Sequence, residues 1–89
     1  MRAILTVVGK DTVGILAKVS QVCAKEHVNI MDVTQSIMQD LFVMIMLVDI
    51  SSCAVPFSSL QDELEAIGTD MNLKIHVMHE DIFNSMHRI

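Results

Sequence analysis

Residues 41–48 read Leu-Phe-Val-Met-Ile-Met-Leu-Val, eight apolar side chains without a break. A run of this length is too short to make a good helix and too apolar for a strand with one face in water. It predicts a strand inside a sheet, with both of its faces covered. One of those covers has to come from outside the strand's own layer, and a second subunit supplies it most simply. Composition points the same way. The chain has 89 residues, 52 % of them hydrophobic and only 19 % charged, with a mean hydropathy of +0.49. Chains of this size bury only roughly 60–65 % of the surface their unfolded form exposes. That leaves more apolar side chains than one small sphere hides, and a homodimer is expected.

The rest of the chain alternates between two periods. Residues 2–8 carry two alternating sets, Ala3/Leu5/Val7 and Ile4/Thr6/Val8, both mostly apolar, which predicts a central strand. From Val13 the spacing turns helical: Ile15, Leu16, Val19, Val22 and Cys23 form a stripe, Lys18, Gln21 and Lys25 lie opposite, and Asp11 or Thr12 is placed to cap the first turn. Residues 29–38 alternate again, Met31, Val33 and Ile37 against Asp32, Thr34 and Ser36, and Gln39-Asp40 marks a tight turn into the apolar run. Pro56 and Gly68 frame a second helix with Phe57, Leu60, Leu64 and Ile67 inward and Gln61, Asp62, Glu63 and Glu65 solvated. Residues 72–80 form the last strand, with Leu73, Ile75, Val77 and His79 against Lys74, His76, Met78 and Glu80. Residues 81–89 add a helical turn or two through Ile82, Phe83 and Met86. This order predicts one α+β domain over residues 1–89 with ferredoxin-like βαββαβ topology. Its four-stranded antiparallel sheet has two helices on one face and the other face open.

Several function classes fall away. A net charge of −5, with Phe42, Phe57 and Phe83 as the only aromatic rings besides histidine, opposes nucleic-acid binding. Cys23 and Cys53 are too widely spaced for a redox motif and read as free thiols, Cys23 as a buried small hydrophobe. With no leader pattern and no stretch of about 20 apolar residues, a cytoplasmic protein away from membranes is expected. Spacing shows no nucleophile with its base, no paired carboxylates in an apolar stretch and no cofactor fingerprint, so neither an enzyme nor a cofactor is expected. His76, His79, Glu80, Asp81 and His87 compose a metal site only on paper, because an offset of three puts His76 and His79 on opposite sides of a strand; no metal site is assigned. His27 falls at a helix C-terminus, where a solvated or dipole-facing role suffices.

Chemistry concentrates in one loop. Gly9, Lys10, Asp11, Thr12, Val13 and Gly14 join the first strand to a helix N-terminus, whose unpaired amides and dipole favour an anion. It is neither a Walker A loop, since Lys10 precedes Asp11, nor a G-x-G-x-x-G turn. Alone, two glycines before a helix serve turn geometry equally well. However, the stretch Val7-Val8-Gly9-Lys10-Asp11-Thr12-Val13-Gly14-Ile15-Leu16, followed a helix later by Val28-Asn29-Ile30, resembles the signature of the ACT domain family. Gln35-Ser36-Ile37-Met38 and His79-Glu80-Asp81-Ile82-Phe83-Asn84 are similar to small stand-alone bacterial and archaeal members.

The resemblance implies a regulatory module that binds an amino acid, or a similar small carboxylate, at a subunit interface. It assigns the ligand to Gly9, Lys10, Asp11, Thr12, Val13 and Gly14 of one subunit with Asn29 and Ile30, the latter pair from the same subunit or from its partner. The amides of Val13 and Gly14 suit a carboxylate, and Asp11 or the Asn29 amide oxygen suits an ammonium group. Val13 stands where the family often carries proline, so the loop is less preorganised. Two other readings stay open: a protein-interaction module docking a regulated partner on an open face that includes Met38, Met44, Met46 and Met78, and a metal-responsive domain built on the C-terminal histidines.

Overall fold

The structure is a computed structural model that describes residues 1–10 and 14–86. Its elements run β1 (Arg2–Lys10), α1 (Ile15–Lys25), β2 (Asn29–Met38), β3 (Leu41–Asp49), α2 (Phe57–Met71), β4 (Lys74–His79) and α3 (Glu80–Met86). The strands form one antiparallel sheet in the order β2-β3-β1-β4. The two strands with apolar residues at both parities, β1 and β3, therefore occupy the centre, as their patterning requires. This is the βαββαβ arrangement expected, extended by the short α3.

Register sorts every strand residue onto one of two sides. Ala3, Leu5 and Val7 of β1 lie opposite Val48, Met46 and Met44 of β3 and opposite His79, Val77 and Ile75 of β4. These residues, His79 excepted, join Ile15, Val19 and Cys23 of α1 and Leu60 and Leu64 of α2 in the buried core. The other parity, Ile4, Thr6 and Val8 with Leu47, Ile45 and Val43, faces away from the core helices. Met44 and Met46 thus correct the expectation that put them on the open face: they share parity with Phe42 and Val48 and are fully buried. Met38 and Met78 do lie on the open side, paired with Leu41 and Ile4.

Three local features also differ from expectation. The first helix begins at Ile15, and its N-cap is Gly14 with φ 88°; the expected capping residues are Asp11 and Thr12. Those two residues and Val13 lie outside the described residues. Leu16, assigned to the buried stripe, is 37 % exposed, because Ile15, Val19 and Cys23 at four-residue spacing already fill the seam against the sheet. In β2, Met31 is a bulge between the pairs Ile30↔Val48 and Asp32↔Leu47. The extra residue reverses parity, so Val33 and Ile37 share the core side with Ile30 while Met31 belongs to neither regular set.

Gly68, expected near the end of the second helix, is buried inside α2. A Cβ there would lie 2.8 Å from the Leu73 carbonyl oxygen and 3.2 Å from Ile75 Cγ1. The helix instead ends on Asn72, which takes a left-handed φ of 58°, while the Leu73 N–H donates to the Gly68 carbonyl at 2.7 Å. The turn Gln39-Asp40 closes the β2–β3 hairpin as predicted, with Gln39 at φ 59°.

Candidate functional site

Gly9 and Lys10 are the last residues of β1, opposite Phe42 and Leu41. A Cβ on Gly9 would run into the Leu73 side chain, so the bare backbone lets that side chain lie across the end of β1. Gly14 answers a different need. Among the described residues nothing lies within 4 Å of its Cβ position, and its φ of 88° is the requirement. Its carbonyl accepts the Lys18 N–H at 3.1 Å, the opening bond of α1.

Asn29 and Ile30 open β2 opposite Asp49 and Val48, Asn29 exposed and Ile30 half-buried. Asp49 in turn faces Arg2, at the start of β1. From Arg2 to Gly9 is seven steps along the strand, roughly 23 Å at about 3.3 Å per residue. Within one protomer, Gly9 and Lys10 therefore stand at the opposite end of the sheet from Asn29 and Ile30. Sequence proximity to the same helix hid this, because α1 carries the chain from one end to the other.

A pocket of about 450 Å³ opens beside Gly9 and Lys10, walled further by Leu41, Met71, Asn72, Leu73 and Lys74. None of these α2–β4 residues was singled out from sequence as ligand-facing. Their signal is weak, since Asn72 and Lys74 are ordinary surface residues until Gly9 brings their connection over β1.

Electrostatic coupling is strongest elsewhere, between the two helices. Glu26 at the end of α1 is 5 % exposed, and the Lys25 ammonium lies 2.9 Å from Glu63 Oε1 and 3.8 Å from Glu26 Oε2. A hydrogen bond to Glu63, followed by burial, pushes the Glu26 carboxyl above the ordinary carboxylate range. The same bond, then Lys25, holds Glu63 below it. Glu63 is thus not the simply solvated residue that its helix position predicts. The Ala54 N–H also donates to the Glu26 carbonyl at 2.8 Å, fastening the β3–α2 connection to the end of α1. Burial, then neighbouring Cys53, pushes the Cys23 thiol up, which makes it a poor nucleophile. Both cysteines are free.

The histidines divide as strand parity demands. His76 faces Thr6 on the open side, whereas His79 stacks on Phe57 with ring centroids 4.1 Å apart. Among the described residues, no group of three or more His, Cys, Asp or Glu is placed to hold a metal ion. His87 lies outside them. His27 is exposed at φ 59° and closes α1 by donating its N–H to the Ala24 carbonyl at 3.3 Å. No described helix is long and apolar enough to cross a membrane.

Comparison with known proteins adds the family context. The ACT domain family model matches residues 2–78. A UPF0237 protein of Methanocaldococcus jannaschii, MJ1558, is 49 % identical over 88 residues, covering 99 % of this chain and 98 % of that protein. The solved structure of an ACT domain protein from Streptococcus pneumoniae superposes with a TM-score of 0.80 at 41 % identity, covering 93 % of each chain. The regulatory subunit of aspartate kinase from Thermus thermophilus, in its ligand-free form, shares the fold with a TM-score of 0.64. Its identity is 19 %, over 85 % of this chain and 49 % of that one.

Proposed function

This chain belongs to the ACT domain family, and from that membership we propose that it is a cytoplasmic, non-catalytic regulatory domain that binds an amino acid or similar small carboxylate between two copies of itself. The observation that carries this reading is the separation of its two ligand-binding stretches. Gly9 and Lys10 stand a sheet's length from Asn29 and Ile30 within a protomer, but a two-fold partner reverses the ends. β2 is an edge strand, and antiparallel pairing of two β2 edges sets the partner's start of β2 beside this protomer's end of β2. The end of β2 lies level with Gly9, through Ile37↔Phe42 and Phe42↔Gly9.

Exposed apolar side chains on α1 and β2, namely Leu16, Met31, Ile37 and Met38, support a partner there. In the assembled site, the amides of Val13 and Gly14 receive the ligand carboxylate and Asp11 or the partner's Asn29 receives its ammonium group. Lys10, Thr12 and Ile30 complete the surround, and occupancy is transmitted through the interface it bridges.

Sedimentation and titration calorimetry test this together. The expected result is a dimer at micromolar concentration that binds at least one member of a panel of amino acids, with affinity lost in Asn29→Ala. A 9.9 kDa monomer, or a dimer with no binding at millimolar ligand, sinks the reading.

A second reading rests on the open side of β3, where Leu41 and Ile45 are 40 % and 38 % exposed. That surface suits a regulated protein partner. Co-purification with wild type but not with Ile45→Asp is the expected result for it.

A further inference from the structure

Cys23 and Cys53 are far apart in the chain, yet the fold brings them to one seam. Cys23 lies in the last turn of α1, 1 % exposed among the core residues. Cys53 is half-buried and packs against the same core from the connection between β3 and α2. Hydrogen bonds hold both backbones in place. The Cys53 N–H donates to the Ile50 carbonyl at 3.1 Å, and the Ala54 N–H next to it donates to the Glu26 carbonyl at 2.8 Å. On the other side of the seam, the Val28 N–H donates to the Cys23 carbonyl at 2.8 Å. Glu26 follows Cys23 by three positions, a spacing that shares one side of a helix, so Cys53 is docked about one turn from Cys23. A disulfide bridges Cα atoms about 4.4–6.8 Å apart, much the spacing of neighbouring hydrogen-bonded backbones. The two thiols also act on one another, since Cys53 adds to burial in pushing the Cys23 thiol up.

We propose that Cys23 and Cys53 form a reversible disulfide in the folded chain, locking the end of α1 to the β3–α2 connection. A small disulfide such as oxidised glutathione is the oxidant. The Cys53 thiolate, the more accessible of the two, attacks one glutathione sulfur, forms a mixed disulfide and expels the first glutathione as thiolate. The Cys23 thiolate then attacks the Cys53 sulfur and expels the second. Two protein thiols are oxidised to one disulfide, one glutathione disulfide is reduced to two thiols, and the two protons given up by the cysteines end on the two glutathiones. Because the Cys23 thiol is raised, the closing step quickens as pH rises. The lock acts on the segment that leads through Val28 into Asn29. It needs no ligand, and so stands whether or not the amino-acid site does.

Incubation of the native full chain with oxidised glutathione, followed by intact-mass and peptide mass spectrometry, tests the assignment on the wild type, Cys53→Ser and Cys23→Ala. Circular dichroism checks that each variant folds, and the half-buried Cys53 position carries the test should Cys23→Ala not fold. The wild type is expected to become two hydrogens lighter, to yield a peptide pair joined through Cys23 and Cys53, and to recover its mass with dithiothreitol. Its melting temperature should rise by about 10 °C on oxidation, because the bond closes a loop of the unfolded chain, and fall back on reduction. Cys53→Ser should show neither change, and Cys23→Ala should stop at one glutathione on Cys53. A lasting glutathione adduct on Cys53 of the wild type, a bond between the Cys53 residues of two copies, a crosslink that forms only in denaturant, or a melting temperature that does not rise on crosslinking overturns the proposal. Each of these leaves the amino-acid reading standing, and a failure of amino-acid binding leaves the crosslink standing.

Discussion

The two sides of β3 carry nearly the same chemistry and meet different fates. Phe42, Met44, Met46 and Val48 are buried under α1 and α2, while Leu41, Val43, Ile45 and Leu47 are left half-covered or exposed. Residue type does not separate them: both sets are aliphatic or aromatic and alternate along one strand. What separates them is which parity the helices cover. Apolar surface on a lone protomer is therefore a matter of topology, and the open set is where a further surface has the most to gain.

The largest expected break in this comparison comes from truncating the covered side. Met46→Ala removes a fully buried side chain and should cost about 2–5 kcal/mol in denaturant unfolding. A loss under about 1 kcal/mol would mean that the helices do not seal that face. Next comes Gly68→Ala, whose methyl meets the Leu73 carbonyl at 2.8 Å. Because backbone rather than a flexible side-chain end lies in the way, about 1–3 kcal/mol should be lost, and an unchanged midpoint would contradict the tight α2–β4 packing.

The helix–helix seam that flanks the covered face should reveal itself through pH. Glu26 has a raised carboxyl, so its contribution is complete below the ordinary carboxylate range and is lost as pH rises through the raised value. Glu63 has a lowered one, so its contribution is present above the ordinary range and is lost as pH falls through the lowered value. The pair should help most between those limits and fade as pH rises through the raised Glu26 value. Melting temperature followed over about pH 3 to 8 should show this in the wild type, and Glu26→Gln, which keeps a donor to Glu63, should flatten it. Identical profiles would contradict the coupling of Glu26 to Glu63.

Smallest for a lone protomer is Ile45→Ala on the open side, expected to change unfolding by under about 1 kcal/mol at high dilution. Should a second surface cover that face, the cost must grow with protein concentration. A concentration-independent loss as large as that of Met46→Ala would erase the distinction between the two faces.

Much of the fold was legible because it is local. The alternation in β1, the helical stripe Ile15/Val19/Cys23 and the turn at Gln39-Asp40 each reside within a few consecutive residues, where period and turn chemistry act directly. Met44 and Met46 were misassigned because a continuous apolar run carries no mark of which parity faces helices. Gly68 was placed near the end of the second helix, but its close packing was not legible, because only the position of Leu73 reveals it. For the candidate site, residues 9–14 stood out through their glycines, whereas Lys74 and Asn72 carried no local signal.

The amino-acid sequence by itself determined the order of elements, the central places of β1 and β3 and the glycine-bounded entry to α1, since each follows from side-chain spacing and backbone freedom over a handful of residues. Only the tertiary structure decided that Met31 bulges, that Glu26 is coupled to Glu63 and that Gly9 and Asn29 lie a sheet's length apart. These depend on strand register and on which helix lies beside which, relations between residues distant in the chain that no local period encodes.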